Sequence, residues 1–491
     1  MKRGPLTLLA AASAVLLGAC VVDPAAGPGG LTQLVTRADE LALGREEHPR
    51  ILKQFGGAYD RPGLSAYIAA VGQNVAGTVE LPEVTFSFTV LNNPVVNAFA
   101  LPGGFVYVTR GLLALAGNEA ELASVLAHEI GHVAARHAAQ RHQRAAQVAV
   151  APAPSGAKPA QNSGAGNEIA ERAQDQAAYV QSYSREQENE ADTLGIRYLA
   201  RAGYDPGAMA SFLARLNAQA TLEAELSGLP SGEADTMSFS STHPRTVDRV
   251  RAAEALAGEI AGRPVALNEE TYLQQIDGIL YGDDPDQGFV RGQSFLHPKL
   301  RFRFDVPQGF RLFNSSSRVI ARDAGGAVIL FDQAPAPKTL GVADYLTQVW
   351  SRDLALADVE SIFIGGFAAA TGWVRVETNR GPRDLRLVAI QFDPDMIYRF
   401  TFITPPALTE ALALELRRAT YSFRALSEEE TAALRALKLS VVRVQEGDSA
   451  ATLGERMPVA ERREGLFRVL NGLKPEEQPA PGRLVKIVAE E

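Results

Sequence analysis

The chain has 491 residues, 46% of them hydrophobic and 21% charged, enough apolar material for about three separate cores and too much for a disordered chain. Its 48 basic and 57 acidic residues give a net charge of −9. The charges are spread without acidic or basic blocks, which argues against nucleic-acid binding and against a polybasic membrane patch.

Residues 1–19 combine Lys2 and Arg3, an apolar stretch over 6–17, and Gly18-Ala19 directly before Cys20, the pattern of a secretory signal peptide. Leu17-Gly18-Ala19-Cys20 resembles the bacterial lipobox, which implies an acylated Cys20 at the head of a lipidated tether, residues 20–30. Cys20 is the only cysteine, so no internal disulfide is available. No later stretch approaches ~18 uninterrupted apolar residues, so acyl chains would supply the membrane anchor. By resemblance to lipoprotein sorting, Val21 points to the outer membrane, and the expected location is the periplasmic side of the cell envelope.

From residue 31 to 262 the pattern is mainly helical, broken by the alternation Val84, Phe86, Phe88, Val90 and by residues 105–108 after Pro102-Gly103-Gly104. It predicts an α+β domain with a small sheet. Asn97, Ala98, Phe99 and Ala100 are a candidate exposed strand edge, to which an extended substrate adds as a further strand. Asn118-Glu119-Ala120-Glu121 reads as a capping-box start. Leu122, Val125, Leu126, Ile130 and Val133 follow at helical spacing, so a helix is expected over 119–140.

That helix carries His128-Glu129-Ile130-Gly131-His132. Residues four apart share a face, so His128 and His132 point to one place as two ligands of one ion must. Glu129, one residue off that face, reaches a water rather than the metal and is the candidate general base. His137 and His142 are read as surface residues beyond the metal. Residues 151–166, rich in Ala, Pro, Ser and Gly, read as a surface loop.

A catalytic zinc site needs a third protein ligand and an open fourth position for water. Glu188 is the candidate, in a helical segment after Tyr183-Ser184-Arg185. Asp192 lies one turn on, so that one carboxylate ligates while the other accepts the outer N–H of a ligand histidine. Glu186 and Glu190 fall on other faces and read as solvated. These motifs, His128 to His132 with Ser184-Arg185 and Glu188-x-x-x-Asp192, resemble the metallopeptidase family of the CAAX prenyl protease, HtpX and BepA over about residues 31–262. The resemblance implies a gluzincin with one zinc per chain on His128, His132 and Glu188, Glu129 as base and Asp192 in support. The lack of a membrane span after the signal points to the periplasmic, BepA-like branch.

Thr242-His243-Pro244 and Arg249 match positions common in that family. Arg249 is the candidate donor to the oxyanion of the reaction. His243 either occupies the fourth position of the zinc as a latch or donates to that oxyanion.

Residues 263–299 read as a linker. Over 300–425 the pattern turns to strands, with Phe302, Phe304 and Val306 alternating, a hairpin at Gly325-Gly326, strands over 373–376, 385–390 and 397–402, and a helix over 343–354. This predicts a second α+β domain with an antiparallel sheet and no catalytic constellation. Residues 439–488 read as a β-α-α-β unit. Glu446-Gly447-Asp448-Ser449, Asn471-Gly472-Leu473 and Pro481-Gly482 resemble the LysM module, which implies possible peptidoglycan contact.

The fold class expected is therefore α+β throughout. The expected function is a zinc endopeptidase cutting unfolded or misassembled envelope proteins, in quality control and outer-membrane assembly. The competing readings are a metal-bearing assembly chaperone or peptidoglycan-anchored scaffold, against which Glu129 argues, and a peptidoglycan hydrolase.

Overall fold

The computed structural model describes residues 36–141, 183–227, 243, 247–260, 266–378, 381–459 and 461–490. The expected signal peptide, Cys20, the tether, His142, the 151–166 loop, Thr242 and Pro244 lie outside the described residues. Among those described, no helix is long and apolar enough to cross a membrane.

The first domain opens with α1 (Arg37–Gln54), started by a capping box between Thr36 and Asp39, and α2 (Pro62–Ala76), which has proline at its first turn. Strands β1 (Ser87–Leu91), β2 (Ala98–Leu101) and β3 (Phe105–Thr109) form a sheet of order β1-β3-β2, β1 parallel and β2 antiparallel to β3. The β2–β3 turn uses positive φ at Gly103 (+85°) and Gly104 (+91°). A Cβ on Gly103 would lie 2.6 Å from the Leu41 Cα, so the turn also needs glycine for space.

After α3 (Arg110–Leu115) comes α4 (Glu119–Ala134), the central helix, buried from Glu119 to Val133. Leu122, Leu126 and Ile130 are fully buried, each contributing about 2 kcal/mol. Asn118 Oδ1 caps it by accepting from Glu121 N, while the Glu121 carboxylate reaches back to Gly117 N and is held by Arg215. The helix expected to run to residue 140 stops at Ala134, because Arg136 adopts a left-handed φ of 58°, and helical geometry resumes at His137. Nothing in the side chain of an arginine announces such a break.

Helices α5 (Arg185–Arg201) and α6 (Ala208–Ser227) pack against α4, and α7 (Val247–Ile260) packs against α5 and α6. Two glycines govern the crossing of α4 and α5. A Cβ on Gly131 would stand 2.8 Å from Ala191 O, and one on Gly195 would stand 3.0 Å from His128 N. The two backbones therefore touch where the histidines and carboxylates face each other.

Residues 266–299, expected as linker, are instead ordered. They form α8 (Glu269–Ile276), β4 (Leu280–Tyr281), β5 (Phe289–Arg291) and β6 (Ser294–His297), and they tie the three units together. Tyr272 and Ile276 enter the core of the first domain, β4 pairs with the C-terminal unit, and β5 and β6 belong to the middle one. These apolar runs are too short for a periodicity to stand out.

The middle unit has two antiparallel sheets. One, of order β15-β7-β6-β5, adds β7 (Phe302–Asp305) and β15 (Arg424–Ala425). The other has seven strands: β8 (Arg311–Asn314), β9 (Val319–Arg322), β10 (Val328–Pro335), β11 (Ala357–Ile364), β12 (Phe367–Thr378), β13 (Gly381–Asp393) and β14 (Met396–Thr404). Their order is β11-β12-β13-β14-β10-β9-β8. Phe302, Phe304, Phe331, Phe400 and Phe423 fill the space between sheets and the helix α9 (Pro406–Tyr421). The helix expected over 343–354 is one α-turn, Val342–Asp344, running into a π-helix, Tyr345–Trp350.

At the C-terminus, β16 (Leu437–Arg443), α10 (Ala450–Glu455), α11 (Arg463–Asn471) and β17 (Leu484–Glu490) make a β-α-α-β unit. It shares one core with the first domain rather than standing apart: Leu439, Phe467 and Ile487 belong to the same cluster as Leu122 and Leu126. Lys486, 1% exposed, donates to Ala114 O (2.7 Å), Leu115 O (3.0 Å) and Ala116 O (2.7 Å), closing the C-terminal end of α3.

Candidate metal and catalytic site

The crossing of α4 and α5 brings His128, His132 and Glu188 to one point, where His243 joins them. His128 Nε2 lies 3.1 Å from His132 Nε2 and 3.1 Å from His243 Nδ1. Glu188 Oε1 lies 2.9 Å from His243 Nδ1 and 3.5 Å from His132 Nε2. One donor atom from each of the four falls within 4.8 Å of all the others. Two donors on a tetrahedral ion at zinc's usual bond lengths stand about 3.3 Å apart, so the set fits such an ion. The chemistry of the set agrees, since two facing imidazole nitrogens and a carboxylate, all at most 3% exposed, make a donor set that a cation can fill.

Local sequence accounts for this placement. Ser184 caps α5 in a capping box with Gln187, which starts the helix one turn before Glu188. Gly131 and Gly195 then let α5 approach until Glu188 meets the histidine face of α4. Asp192, one turn along, takes His128 Nδ1 at 2.8 Å, orienting that ring from behind.

Arg249 on α7 reaches the same carboxylates. Its Nε and Nη2 contact Asp192 at 2.7 and 2.8 Å, and its Nη1 contacts Glu188 Oε2 at 2.6 Å. It is 4% exposed, so its guanidinium faces these two anions and not an open surface. Burial works against ionising the Asp192 carboxyl, but Arg249 and His128 prevail and hold it down at about 2. Glu188 is likewise held well below the usual carboxylate range by His243, His132 and His128 against its burial.

Glu129 is 1% exposed with Oε1 3.4 Å from His243 Nε2, and among the described residues that oxygen accepts no hydrogen bond. Burial raises its pKa above the carboxylate norm, partly offset by the facing histidines. A desolvated carboxylate beside the cluster is a stronger base than one in water.

Two residues of the site escaped the sequence reading. His137, expected on the surface, is buried: its Nδ1 lies 2.9 Å from His132 Nδ1 and its Nε2 3.2 Å from Glu190. Five residues beyond His132 on an unbroken helix it would point elsewhere, and the left-handed Arg136 turns it back. Tyr183 stacks on the His132 ring at 3.9 Å between centroids, and the Arg141 guanidinium lies over the Tyr183 ring at 4.8 Å. No motif marks either residue.

The candidate substrate strand lies where its register puts it. β2 forms one edge of the three-stranded sheet, and Ala100 and Leu101 border a small pocket of about 10 Å³ with His132 and Tyr183. Asn97 and Ala98 are fully buried, main chain included, and within β2 only Phe99 is partly exposed, so the exposed edge expected over Asn97–Ala100 is absent at Asn97 and Ala98. His48 bonds the Tyr107 hydroxyl at 2.6 Å.

Comparison with known proteins agrees with this geometry. The chain is 30% identical over 250 residues to the "Beta-barrel assembly-enhancing protease" of Escherichia coli, covering 48% of this chain and 47% of that one. It is 35% identical over 191 residues to the "Putative beta-barrel assembly-enhancing protease" of Vibrio cholerae, covering 37% and 38%. It is 30% identical over 221 residues to the "Mitochondrial metalloendopeptidase OMA1" of Schizosaccharomyces pombe, covering 44% and 60%. The chain thus spans about half the length of the bacterial relative from Escherichia coli. The family model for Peptidase family M48 matches residues 62–257, a span that contains His128, Glu129, His132, Glu188, Asp192, His243 and Arg249. This chain therefore carries, over residues 62–257, a domain of Peptidase family M48.

Proposed function

We propose that the chain is a zinc metalloendopeptidase that hydrolyses protein substrates of the cell envelope in the course of outer-membrane assembly. The observation that carries this reading is the convergence of His128, His132, Glu188 and His243 beside the buried base Glu129. The printed names of the bacterial relatives supply the substrate side.

A zinc ion held by His128, His132 and Glu188 would supply Lewis acidity and a water acidic enough to react near neutral pH. Glu129, the carboxylate beside the cluster, would accept a proton from an attacking water and hand it to the leaving amine. Asp192 and His137 fix the rings of His128 and His132, and Arg249 keeps Asp192 and Glu188 ionised and in place. An extended substrate pairing with β2 at Phe99, its partly exposed residue, would bring its backbone toward His132.

With His243 as a fourth ligand the donor set is closed, and such a set leaves no position for water. His243 is proposed as a latch that must withdraw before hydrolysis. Acylated Cys20 is proposed to hold the chain to the outer membrane from the periplasmic side. Cys20→Ser should release it into the soluble fraction, and membrane retention through a high-salt wash would remove that anchor. The C-terminal β-α-α-β unit is proposed to touch peptidoglycan, an idea that fails if the full chain does not co-sediment with purified peptidoglycan.

Casein cleavage with metal analysis tests the central reading. Glu129→Gln should keep one zinc per chain and lose cleavage, being isosteric but unable to take a proton, whereas Glu188→Ala should lose the zinc. Appreciable turnover by the first variant, or a full zinc complement in the second, would overturn the assignment.

A further inference from the structure

We propose that the outer edge of β11, with the cavity beside it, is a docking site for an extended polypeptide segment whose side chains alternate between apolar and polar. That this segment belongs to a substrate rests on the reading above; the docking itself does not.

β11 ends the seven-stranded sheet, and among the described residues no strand pairs with its outer side. Its register with β12 slips between Ala357 and Glu360, around Asp358 at φ 47°, and from Glu360 to Ile364 it runs regularly. A regular free edge is a template for another strand unless it is blunted.

The two faces of this edge differ. On one, Val359 is 41% and Phe363 72% exposed, although both are large and apolar. On the other, Glu360 and Ile362 border a cavity of about 610 Å³ between the sheet and α9, which Thr371, Trp373, Arg386 and Arg417 also line. Thr371 is 4% exposed and its Oγ1 is buried without a hydrogen-bond partner among the described residues. Asp384 takes Arg375, whereas Glu360, Arg386 and Arg417 form no ion pair among the described residues.

A strand added at this edge sends alternate side chains to opposite faces. Those on one side would cover Val359 and Phe363; those on the other would enter the cavity and meet the Thr371 hydroxyl and the unpaired charges. A lipid tail offers nothing to Thr371. A compact ligand inside the cavity leaves Phe363 uncovered on the far face. An amphipathic strand answers both.

The test uses the full chain carrying Glu129→Gln, so that binding is read without cleavage. The probe is a labelled peptide of about ten residues with alternating Val and Thr, compared by fluorescence anisotropy with one of the same composition in two blocks. The alternating peptide should bind about tenfold more tightly. Val359→Lys with Phe363→Lys, both exposed positions, should weaken it about tenfold. Thr371→Val, which keeps the shape and removes an unsatisfied hydroxyl, should weaken it severalfold while leaving the fold as stable or more so. Equal affinity for the two peptides, or binding indifferent to these substitutions, would overturn the proposal. So would a dimer that the double lysine variant dissociates, since the edge would then belong to a second copy. Loss of peptide docking with casein cleavage intact would sink this inference alone, whereas docking without cleavage by the unsubstituted chain would sink the function alone.

Discussion

Replacing Gly131 by Ala asks how far the ligand geometry depends on the approach of two helices. The new Cβ would stand 2.8 Å from Ala191 O, and ordinary contact begins at 3.4 Å, so α4 and α5 must part by about 0.6 Å at that point. Ala191 is the neighbour of Asp192 and lies one turn from Glu188, so both carboxylates move with it. Metal sites tolerate about 0.2 Å in their ligand distances. Overpacking costs about 1–3 kcal/mol, and the helix preference of Ala over Gly returns about 1 kcal/mol. The variant should therefore stay folded while its zinc affinity falls about 10- to 100-fold, the range seen when a support of a metal ligand is disturbed. Competition against a chromophoric chelator measures the affinity, and thermal unfolding the stability. Gly258→Ala on α7 is the control: its Cβ meets nothing within 4 Å, so it should raise stability by about 1 kcal/mol and leave zinc untouched. Unchanged zinc affinity in Gly131→Ala would refute the argument that glycine contact sets the site.

His243→Ala should raise casein cleavage with zinc retained, because it opens the fourth position; a clear fall at constant zinc would rule out the latch. His297 offers a test in the middle unit. It is 8% exposed, and burial, partly offset by Asp286, holds its pKa down at about 4 against the usual 6.5. The unfolded chain gains a proton below pH 6.5 and the folded one only near pH 4. Stability is therefore complete above pH 6.5 and falls as the pH drops to 4, by up to about 3 kcal/mol. The chain's two tryptophans, Trp350 and Trp373, both sit in this unit, so urea unfolding followed by their fluorescence isolates it. His297→Asn should flatten that pH dependence, and an unaltered profile would dismiss His297 as its source.

The amino-acid sequence by itself determined what depends on short-range spacing. Two histidines one turn apart, with a glutamate between them, share a helix and a face whatever surrounds them. Asn118 and Ser184 mark where the two helices start, and Gly325-Gly326 makes a hairpin because Gly326 takes a φ of +87° that other residues rarely adopt. The alternation of Phe302 and Phe304 likewise predicted a strand with one buried face.

Only the tertiary structure decided which distant groups meet. Arg249 belongs with Asp192 and Glu188 because α7 packs against α5, a relation no spacing encodes. His137 returns to His132 through one left-handed arginine, a backbone choice made by the surrounding packing and not by the preference of that residue. The C-terminal unit read as a separate module because its strands and helices are complete in themselves. It is fused to the first domain because Lys486 and the apolar side chains around it find their partners on α3 and α6, and burial rewards such contacts without regard to distance along the chain.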